Sequence, residues 1–386
     1  MIVNERLGQY RTSTIGGETY RSYIPAALPP QPPIEVIALA PYLESAHQAL
    51  AELKVATRII PNVALLVYMY VRKEAVLSSQ IEGTQSSLAD LVLFENEQQP
   101  LVALDDVEEV SNYVSALNYA FQRMDEGLPL SLRLLKEAHG VLLSGARGMH
   151  KLPGEFRRSQ NWIGGSCPGN ALFVPPAPED MMACLGDWEL FLYEQKSGLP
   201  LLVKIGIAHV QFETIHPFLD GNGRLGRLLI SILLRQYGFL DYPVLYLSLY
   251  LKRHRTLYYE LLQRVRLQGD WEAWLRFFLE GVQRSALQGV LTAQKINTLF
   301  DVDKGSIAAL GRVRFSAEKV FELFKKLPQL SVPVLVSSFG FHPSTARSAL
   351  EALVGAGIAV EITAKKRDRV YVYKRYLMLL EEESMG

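Results

Sequence analysis

The stretch of sequence that decides the fold reads His216-Pro217-Phe218-Leu219-Asp220-Gly221-Asn222-Gly223-Arg224-Leu225-Gly226-Arg227. An apolar run with helical spacing precedes it at residues 201–214, and a second one follows at residues 225–234. A proline, glycines and polar side chains interrupt the helical pattern between the two runs. The stretch is therefore predicted to be a loop that leads from one helix into the N-terminus of the next.

The backbone of this loop suits an anion. Gly221 and Gly223 let the chain approach a ligand closely and adopt positive φ. Their amides lie with that of Asn222 at a helix start, where N–H groups without intrahelical partners and the helix dipole favour negative charge. We therefore expect the loop to bind an anionic group.

The side chains of the loop favour a polyphosphate and a base. Arg224 and Arg227 are i, i+3 neighbours, and the arginine fork matches phosphate oxygens. Asp220 is the kind of ligand that Mg²⁺ prefers beside phosphates, although a helix N-cap is the structural alternative. His216 is largely neutral near pH 7, since its ordinary pKa is about 6.5. Each feature alone is weak, but together they indicate a catalytic phosphate site.

At every fixed position the loop resembles the motif of the Fic family, H-P-F-x-D/E-G-N-G-R-x-x-R. Other segments that resemble this family are the helix entering the motif (209–215), the target-positioning flap (154–157 and 160–164), the tyrosine pair of the nucleotide pocket (Tyr258 and Tyr259) and the N-terminal arm (Leu28-Pro29-Pro30). The resemblance implies a mainly α fold with a Fic-type helical core and a β-hairpin flap. It also implies an N-terminal helical region and a C-terminal winged helix-turn-helix domain.

The resemblance also implies an activity, the transfer of AMP from ATP to Ser, Thr or Tyr hydroxyls of proteins, including the chain itself. By this resemblance His216 takes the hydroxyl proton and Asp220 holds Mg²⁺. The implied ATP-binding residues are Asp220, Gly221, Asn222, Gly223, Arg224, Gly226, Arg227 and Tyr258. The flap residues implied to position the target are Asn161, Trp162, Ile163 and Gly164.

A second motif lies upstream and reads Ser78-Ser79-Gln80-Ile81-Glu82-Gly83. By spacing alone, Ser78 and Glu82 are i, i+4 neighbours at a solvated helix end before Gly83. In the Fic family, however, S/T-x-x-x-E-G/N marks an inhibitory helix, whose glutamate pairs with the second arginine of the loop. The resemblance thus implies that Ser78, Glu82 and Gly83 inhibit the enzyme by withholding Arg227 from the γ-phosphate.

Two other functions stay open. Some family members use the same glutamate to position water, so a hydrolase that removes AMP from proteins is the alternative within the enzyme class. The second alternative is a DNA-binding regulator. Residues 316–380 carry ten Lys and Arg against five Asp and Glu, and Lys365-Lys366-Arg367 between two predicted strands suits DNA phosphates. The candidate recognition helix, residues 344–354, is less convincing, because Arg347 is its only basic residue, and winged helices also dock proteins.

The sequence divides into four predicted segments. Residues 1–125 form the N-terminal region, with the inhibitory helix and a proline-rich arm that is predicted to be extended over its first 35 residues. Residues 126–288 form the catalytic core, residues 289–315 a linker and residues 316–386 the winged helix, which is predicted from an order of three helices and a hairpin.

The composition indicates the cell compartment and the kinds of partner that the protein can have. Among 386 residues, 40 Lys and Arg balance 40 Asp and Glu, so no whole-molecule charge attracts nucleic acid or membrane. The two cysteines have no partners at zinc-ligand spacing, and no run of roughly 18 apolar residues predicts a membrane span. We expect a cytoplasmic protein without a membrane partner. The family resemblance adds a homodimer as a hypothesis.

Overall fold

The computed structural model describes residues 5–15, 17–60, 63–95, 102–145, 148–327, 329–363 and 369–385. It is mainly helical, which confirms the predicted fold class. The chain forms two compact units, one of residues 1–51 and 70–286 and one of residues 52–69 and 287–386. The described helices include none that is both long and apolar enough to cross a membrane.

The N-terminal residues, which were predicted to be an extended arm, include a β-hairpin. Strand β1 (Gln9–Ile15) pairs antiparallel with β2 (Glu18–Ile24), and Gly17 adopts positive φ at the turn. Tyr20 and Tyr23 of β2 are buried although they point to opposite faces of the strand, so β2 is covered on both faces. The prolines on which the prediction of an extended arm rested all follow the hairpin and do not interrupt its strands.

Helices follow in the described part of the N-terminal region, as predicted. They are α1 (Val36–Ile59), α2 (Val63–Ile81), α3 (Leu88–Glu95) and α4 (Leu104–Asp125). Helix α2 ends immediately before Glu82 and Gly83, and Gly83 has a φ of 107° that an ordinary side chain would strain. The predicted inhibitory motif therefore lies on the last turns of α2 and on the residues that stop it.

The predicted core is also helical. Its helices are α5 (Leu132–Leu142), α6 (Pro178–Tyr193), α7 (Leu201–Ile215), α8 (Asn222–Gln236), α9 (Leu247–Arg253) and α10 (Arg255–Gln268). Helix α7 is buried on every side from Leu202 to Ile215, as expected for a helix at the centre of a core. Helices α7 and α8 pack together and carry the 216–221 loop between them. The loop thus rests on the best-buried part of this unit.

The flap is less regular than the predicted β-hairpin. One antiparallel bridge joins Ile163 to Phe173, and a short 3₁₀ turn covers Pro168–Asn170. Gly164 and Gly165 both have positive φ, which turns the chain directly after the bridge. The two left-handed glycines thus end the extended backbone directly after Ile163.

Helix α11 (Trp271–Ala308) corrects the predicted linker at residues 289–315. The helical pattern was expected to end near Gln288, but the helix continues through most of the linker. Buried apolar side chains recur at helical spacing along it, at Ala293, Ile296, Phe300 and Ile307. This stretch therefore has an apolar face that packs within the second unit.

The C-terminal elements follow the predicted order of three helices and a hairpin, with an additional strand after the first helix and an additional helix at the end. They are α12 (Arg314–Phe324), β3 (Gln329–Ser331), α13 (Val332–Phe339), α14 (Pro343–Gly355), β4 (Val360–Glu361), β5 (Val370–Val372) and α15 (Lys374–Met385). The three strands form an antiparallel sheet in the order β3-β5-β4. The winged helix stays a prediction, and Lys365, Lys366 and Arg367 lie outside the described residues.

Candidate active site

His216 ends helix α7 in a left-handed conformation, with φ 50° and ψ 61°, which is rare for a residue other than glycine. Its backbone N–H still donates to the carbonyl of Phe212 at 2.9 Å. Its own carbonyl accepts from Nε of Arg157 at 2.9 Å and from Nδ2 of Asn161 at 3.2 Å. Contacts from the flap thus hold a strained residue in place, as is common at functional sites.

Arg157 is the principal clamp on this turn, and it is almost fully buried. Its guanidinium also donates to the carbonyls of Pro176 at 2.5 Å and Ser159 at 3.3 Å, and its backbone N–H donates to Pro217 at 2.9 Å. Burial lowers the pKa of Arg157 to about 10, so it stays charged at neutral pH. The sequence placed Arg157 only within the flap resemblance, and its role as a clamp was not predicted.

The His216 imidazole is neutral at pH 7. Burial lowers its pKa to about 4, and the charge of Arg266 acts in the same direction. Its Nδ1 lies 3.3 Å from the carbonyl oxygen of Glu213. Because a carbonyl only accepts, Nδ1 carries the ring proton, and the lone pair is left on Nε2. The ring is therefore in the form that a general base requires.

Asn222 stabilises the loop from inside. Its Oδ1 accepts from the backbone N–H of Phe218 at 2.9 Å, and its Nδ2 donates to the carbonyl of Phe218 at 2.8 Å. Asn222 was predicted among the phosphate-binding residues, but its buried side-chain amide is used within the loop. What it offers a phosphate is its backbone N–H in the first turn of α8.

His139 of α5 supports the loop from the other side and was not predicted. Its ring stacks on Phe218 at 3.7 Å, its Nδ1 accepts from the N–H of Gly154 at 2.9 Å, and its Nε2 lies 3.0 Å from the carbonyl of Asp220. Since Nδ1 accepts, Nε2 donates to Asp220. Burial lowers the pKa of His139 to about 4, so this arrangement persists at neutral pH. His139 therefore links Gly154, at the start of the flap, to Asp220 of the loop.

The Asp220 carboxylate lies at the mouth of the site, and its side chain is 49% exposed. It borders a cavity of about 240 Å³ that Arg224, Glu109 and Asn112 also line. Its Oδ1 accepts from the N–H of Gly221 at 2.6 Å and lies 3.7 Å from the Arg224 guanidinium. Among the described residues, no group of three acidic, His or Cys side chains is arranged to hold a metal. Mg²⁺ suits this donor set, because it is commonly held by one carboxylate together with substrate phosphates and water.

The two arginines of the loop are held by carboxylates from different helices. Arg224 donates from Nη1 to Oε2 of Glu109 on α4 at 3.0 Å. Arg227 donates from Nη2 to Oε1 of Glu82 at 2.7 Å, from Nε to Oγ of Ser78 at 2.8 Å and from Nη2 to the Ser78 carbonyl at 3.0 Å. The structure thus brings Ser78 and Glu82 of the predicted inhibitory motif onto Arg227, whereas Gly83 ends their helix. It adds Glu109, which was not predicted.

The Glu82–Arg227 pair is electrostatically strong. The Arg227 side chain is only 1% exposed, whereas that of Glu82 is 39% exposed. Burial favours the neutral form of Glu82, but Arg227 outweighs it and holds the pKa of this carboxyl below its usual value. Burial likewise opposes the charge of Arg227, but Glu82 holds the pKa of the guanidinium above its usual value. Both groups are therefore charged at neutral pH.

The glycines of the loop serve different purposes. Gly221 is left-handed at φ 74°, as predicted, but Gly223 lies inside α8 with ordinary helical geometry, which corrects the prediction of positive φ there. A Cβ on Gly223 would lie 2.3 Å from Oε1 of Glu82. A Cβ on Gly226 would lie 2.2 Å from Oε1 of Glu213. These two glycines therefore make room for carboxylates of this chain.

The other residues predicted to bind the nucleotide or the target differ in their burial and in their contacts. Tyr258 is buried, and its hydroxyl bonds Nε2 of His209 at 2.9 Å, so it packs in the core, while Tyr259 is 41% exposed. Asn161 also donates to the carbonyl of Phe218 at 2.9 Å, so its amide anchors the flap to the loop. Trp162 is partly exposed and follows Asn161 on the flap. Roles in nucleotide and target binding stay predictions for these residues.

Two family models match the chain. Residues 40–122 match the Fic/DOC family N-terminal model, and residues 129–234 match the Fic/DOC family model. The second range includes the whole 216–227 loop, and the first includes the Ser78–Gly83 motif. The predicted family resemblance is thus confirmed for the region of the upstream motif and for the region of the loop.

The chain is also similar to proteins named protein adenylyltransferase Fic. It is 38% identical to that of Aedes aegypti over 133 residues, which are 34% of this chain and 24% of the relative. It is 31% identical to that of Culex quinquefasciatus over 209 residues, which are 53% of this chain and 39% of the relative. The chain thus spans between about a quarter and two fifths of the length of these relatives.

Solved structures show the same fold. A Fic family protein from Desulfovibrio desulfuricans G20 aligns with a TM-score of 0.55 at 18% identity, over 87% of this chain and 95% of that one. Residues 134–508 of Fic-1 from C. elegans align with a TM-score of 0.53 at 24% identity, over 68% of this chain and 74% of that one. With both family models matching and the loop built as described, residues 40–122 and 129–234 are Fic/DOC family domains.

Proposed function

We propose that this protein transfers AMP from ATP to hydroxyl groups of Ser, Thr or Tyr on proteins, itself included. The observation that carries the proposal is the neutral His216, whose Nδ1 is tied to Glu213 and whose Nε2 keeps its lone pair, at the entrance to the α8 N-terminus. A base and an anion site then adjoin each other. The names of the similar proteins point to the same reaction.

In the proposed reaction, the target hydroxyl oxygen bonds to the α-phosphorus of ATP while its proton passes to Nε2 of His216. The bond between the α-phosphorus and the bridging oxygen breaks, and pyrophosphate leaves. Arg224, Arg227 and the first amides of α8 stabilise the charge on the phosphates. Mg²⁺, held by Asp220 when bound, would neutralise phosphate charge. The chain thus mainly positions groups and supplies one base.

Self-inhibition by Glu82 is part of the proposal. The contact between Glu82 and Arg227 occupies an arginine that a phosphate would otherwise bind, and Ser78 fixes the same guanidinium. Gly223 leaves the space in which the Glu82 carboxylate lies. A hydrolase that removes AMP stays the second hypothesis, because the same carboxylate is partly exposed beside the site.

The cell compartment and the further partners of the protein are also part of the proposal. ATP as the substrate agrees with the cytoplasmic location predicted from the sequence. The homodimer and DNA binding by residues 316–380 stay predictions.

The test is His216→Ala in a Glu82→Gly background, in which transfer is expected to be measurable. We expect AMP incorporation to fall on the order of 10²- to 10⁴-fold, the usual contribution of a general base. The ATP dissociation constant, measured by calorimetry, should stay within about threefold, because the phosphate contacts belong to other residues.

His342→Ala is the matched control, since His342 is an exposed histidine outside this site. It should transfer AMP like its parent. Full activity in the His216→Ala variant would remove His216 from the mechanism and overturn the proposal.

A further inference from the structure

Glu213 is a buried acid in the last turn of α7. Its main-chain carbonyl orients His216, but its carboxyl group has no part in the reaction proposed above. Its side chain is 7% exposed, and its Oε1 is buried without a hydrogen-bond partner among the described residues. Its Oε2 lies 4.0 Å from Nδ1 of His216. A carboxyl oxygen left unpaired in a core is costly, so its position calls for a physical reason.

The residues around Glu213 leave space for its carboxyl group beside His216. Gly226 faces Oε1 so closely that any added Cβ would collide with it. The main-chain carbonyl of Glu213 accepts from Nδ1 of His216 and from Nη2 of Arg266 at 3.1 Å. Glu213 therefore contacts the base by its main chain, and its carboxylate lies beside the same nitrogen.

Charged and titratable groups face Glu213 from every element around it. They are His216 after α7, Arg227 of α8, Glu82 after α2, and Arg266, Tyr258 and Tyr259 of α10. The two arginines favour the carboxylate, and Glu82 disfavours it. The charge state of Glu213 therefore depends on opposing effects of its charged neighbours.

We infer that Glu213 is the positioning residue of the catalytic base: its main-chain carbonyl holds Nδ1–H of His216, and its nearby carboxylate stabilises the imidazolium by its negative charge. This inference rests on the proposed function. When His216 takes the hydroxyl proton on Nε2, the positive charge of the ring appears 4.0 Å from a carboxylate that is already in place. No proton moves to Glu213 in this step.

The pKa of Glu213 makes the inference testable by pH. Burial raises this pKa to about 7, Arg227 and Arg266 oppose the rise, and Glu82 adds to it. The stabilising charge is thus present above about pH 7 and is lost as the pH falls through that value. His216 itself, with a pKa of about 4, stays neutral over this range. A loss of transfer activity as the pH falls through about 7 would therefore report the protonation of Glu213 and not that of His216.

The first experiment compares pH profiles of AMP incorporation between pH 5.5 and 9 in the Glu82→Gly background. Adding Glu213→Gln keeps the shape of the side chain and removes its charge. We expect kcat at pH 8 to fall by about 10- to 100-fold, with the KM for ATP within about twofold. The acid limb should disappear. In the parent it should lie at or below pH 7, since Glu82 no longer raises the pKa.

Glu74→Gln is the matched control. Glu74 of α2 is also a buried acid near Arg227 whose pKa burial raises to about 7, but its carboxylate bonds Ser248 and not His216. This variant should keep the acid limb. An unchanged limb in the Glu213→Gln variant, or loss of the limb in Glu74→Gln alone, would overturn the inference.

A second measurement needs no transfer activity, so it separates this inference from the proposed function. In histidine-labelled wild-type protein, the His216 ring signals, assigned with His216→Gln, should shift with an inflection near pH 7 as Glu213 ionises. The inflection should vanish in Glu213→Gln and persist in Glu74→Gln. An inflection that survives in Glu213→Gln, or none in the wild type, would refute the coupling whatever the transfer assay shows.

Discussion

Arg224 and Arg227 lie one turn apart on α8, yet their surroundings differ. Arg227 makes three hydrogen bonds to the end of α2, and its side chain is almost completely buried. Arg224 makes one to Glu109 of α4, and its buried Nε has no partner in the described part of the chain. The same residue type is thus fully restrained at one position and partly restrained at the other.

The difference shows how the N-terminal helices act on the loop. Both arginines meet a carboxylate from the 40–122 region before any phosphate arrives. A phosphate must replace three hydrogen bonds to gain Arg227, whereas for Arg224 it must replace the hydrogen bond to Glu109. Inhibition should therefore depend mainly on Arg227, and Glu109 should contribute a smaller restraint.

The largest expected effect is a gain of activity in Glu82→Gly. Hydrogen bonds to charged groups contribute about 1.5–3 kcal/mol, which corresponds to roughly a 10- to 100-fold rise in incorporation of labelled AMP. The label should appear on the protein itself and on proteins of a lysate. Glu126→Gly, which removes an exposed carboxylate at the end of α4, should not raise it. A Glu82→Gly protein no more active than wild type would place the inhibition elsewhere.

A smaller gain is expected for Glu109→Gln, of about two- to fivefold, because a partly exposed ion pair contributes up to about 1 kcal/mol. The same assay measures it, beside ATP affinity by calorimetry. Combined with Glu82→Gly, the gain should multiply, since the two carboxylates restrain different arginines. If Glu109→Gln equals or exceeds Glu82→Gly, the ranking of the two arginines is wrong.

The parts of the site that are contiguous in sequence were predictable. Residues 216–227 carry their chemistry within twelve consecutive residues, and the Ser78–Gly83 motif could be assigned through the family resemblance. Helices were predictable wherever apolar spacing was regular, as in α7 and α8. Local patterns thus carried both the fold class and the centre of the site.

The unpredicted supports join distant parts of the chain. His139 reaches Asp220, Arg157 reaches His216, and Glu109 reaches Arg224, and no local spacing encodes such contacts. A lone histidine or arginine in a helix or loop has many explanations until its partner is known. Glu213 was visible beside the motif, but only its burial and its unpaired oxygen distinguish it from an ordinary helical glutamate.

The most direct test of the central claim compares wild type, Glu82→Gly, Arg227→Ala and the double variant for incorporation of labelled AMP. If Glu82 acts by restraining Arg227, Glu82→Gly should be the most active of the four. The double variant should then lose that gain and match Arg227→Ala, because the arginine that the glutamate restrains is gone. A double variant as active as Glu82→Gly would contradict the account, since Glu82 would then act through something other than Arg227.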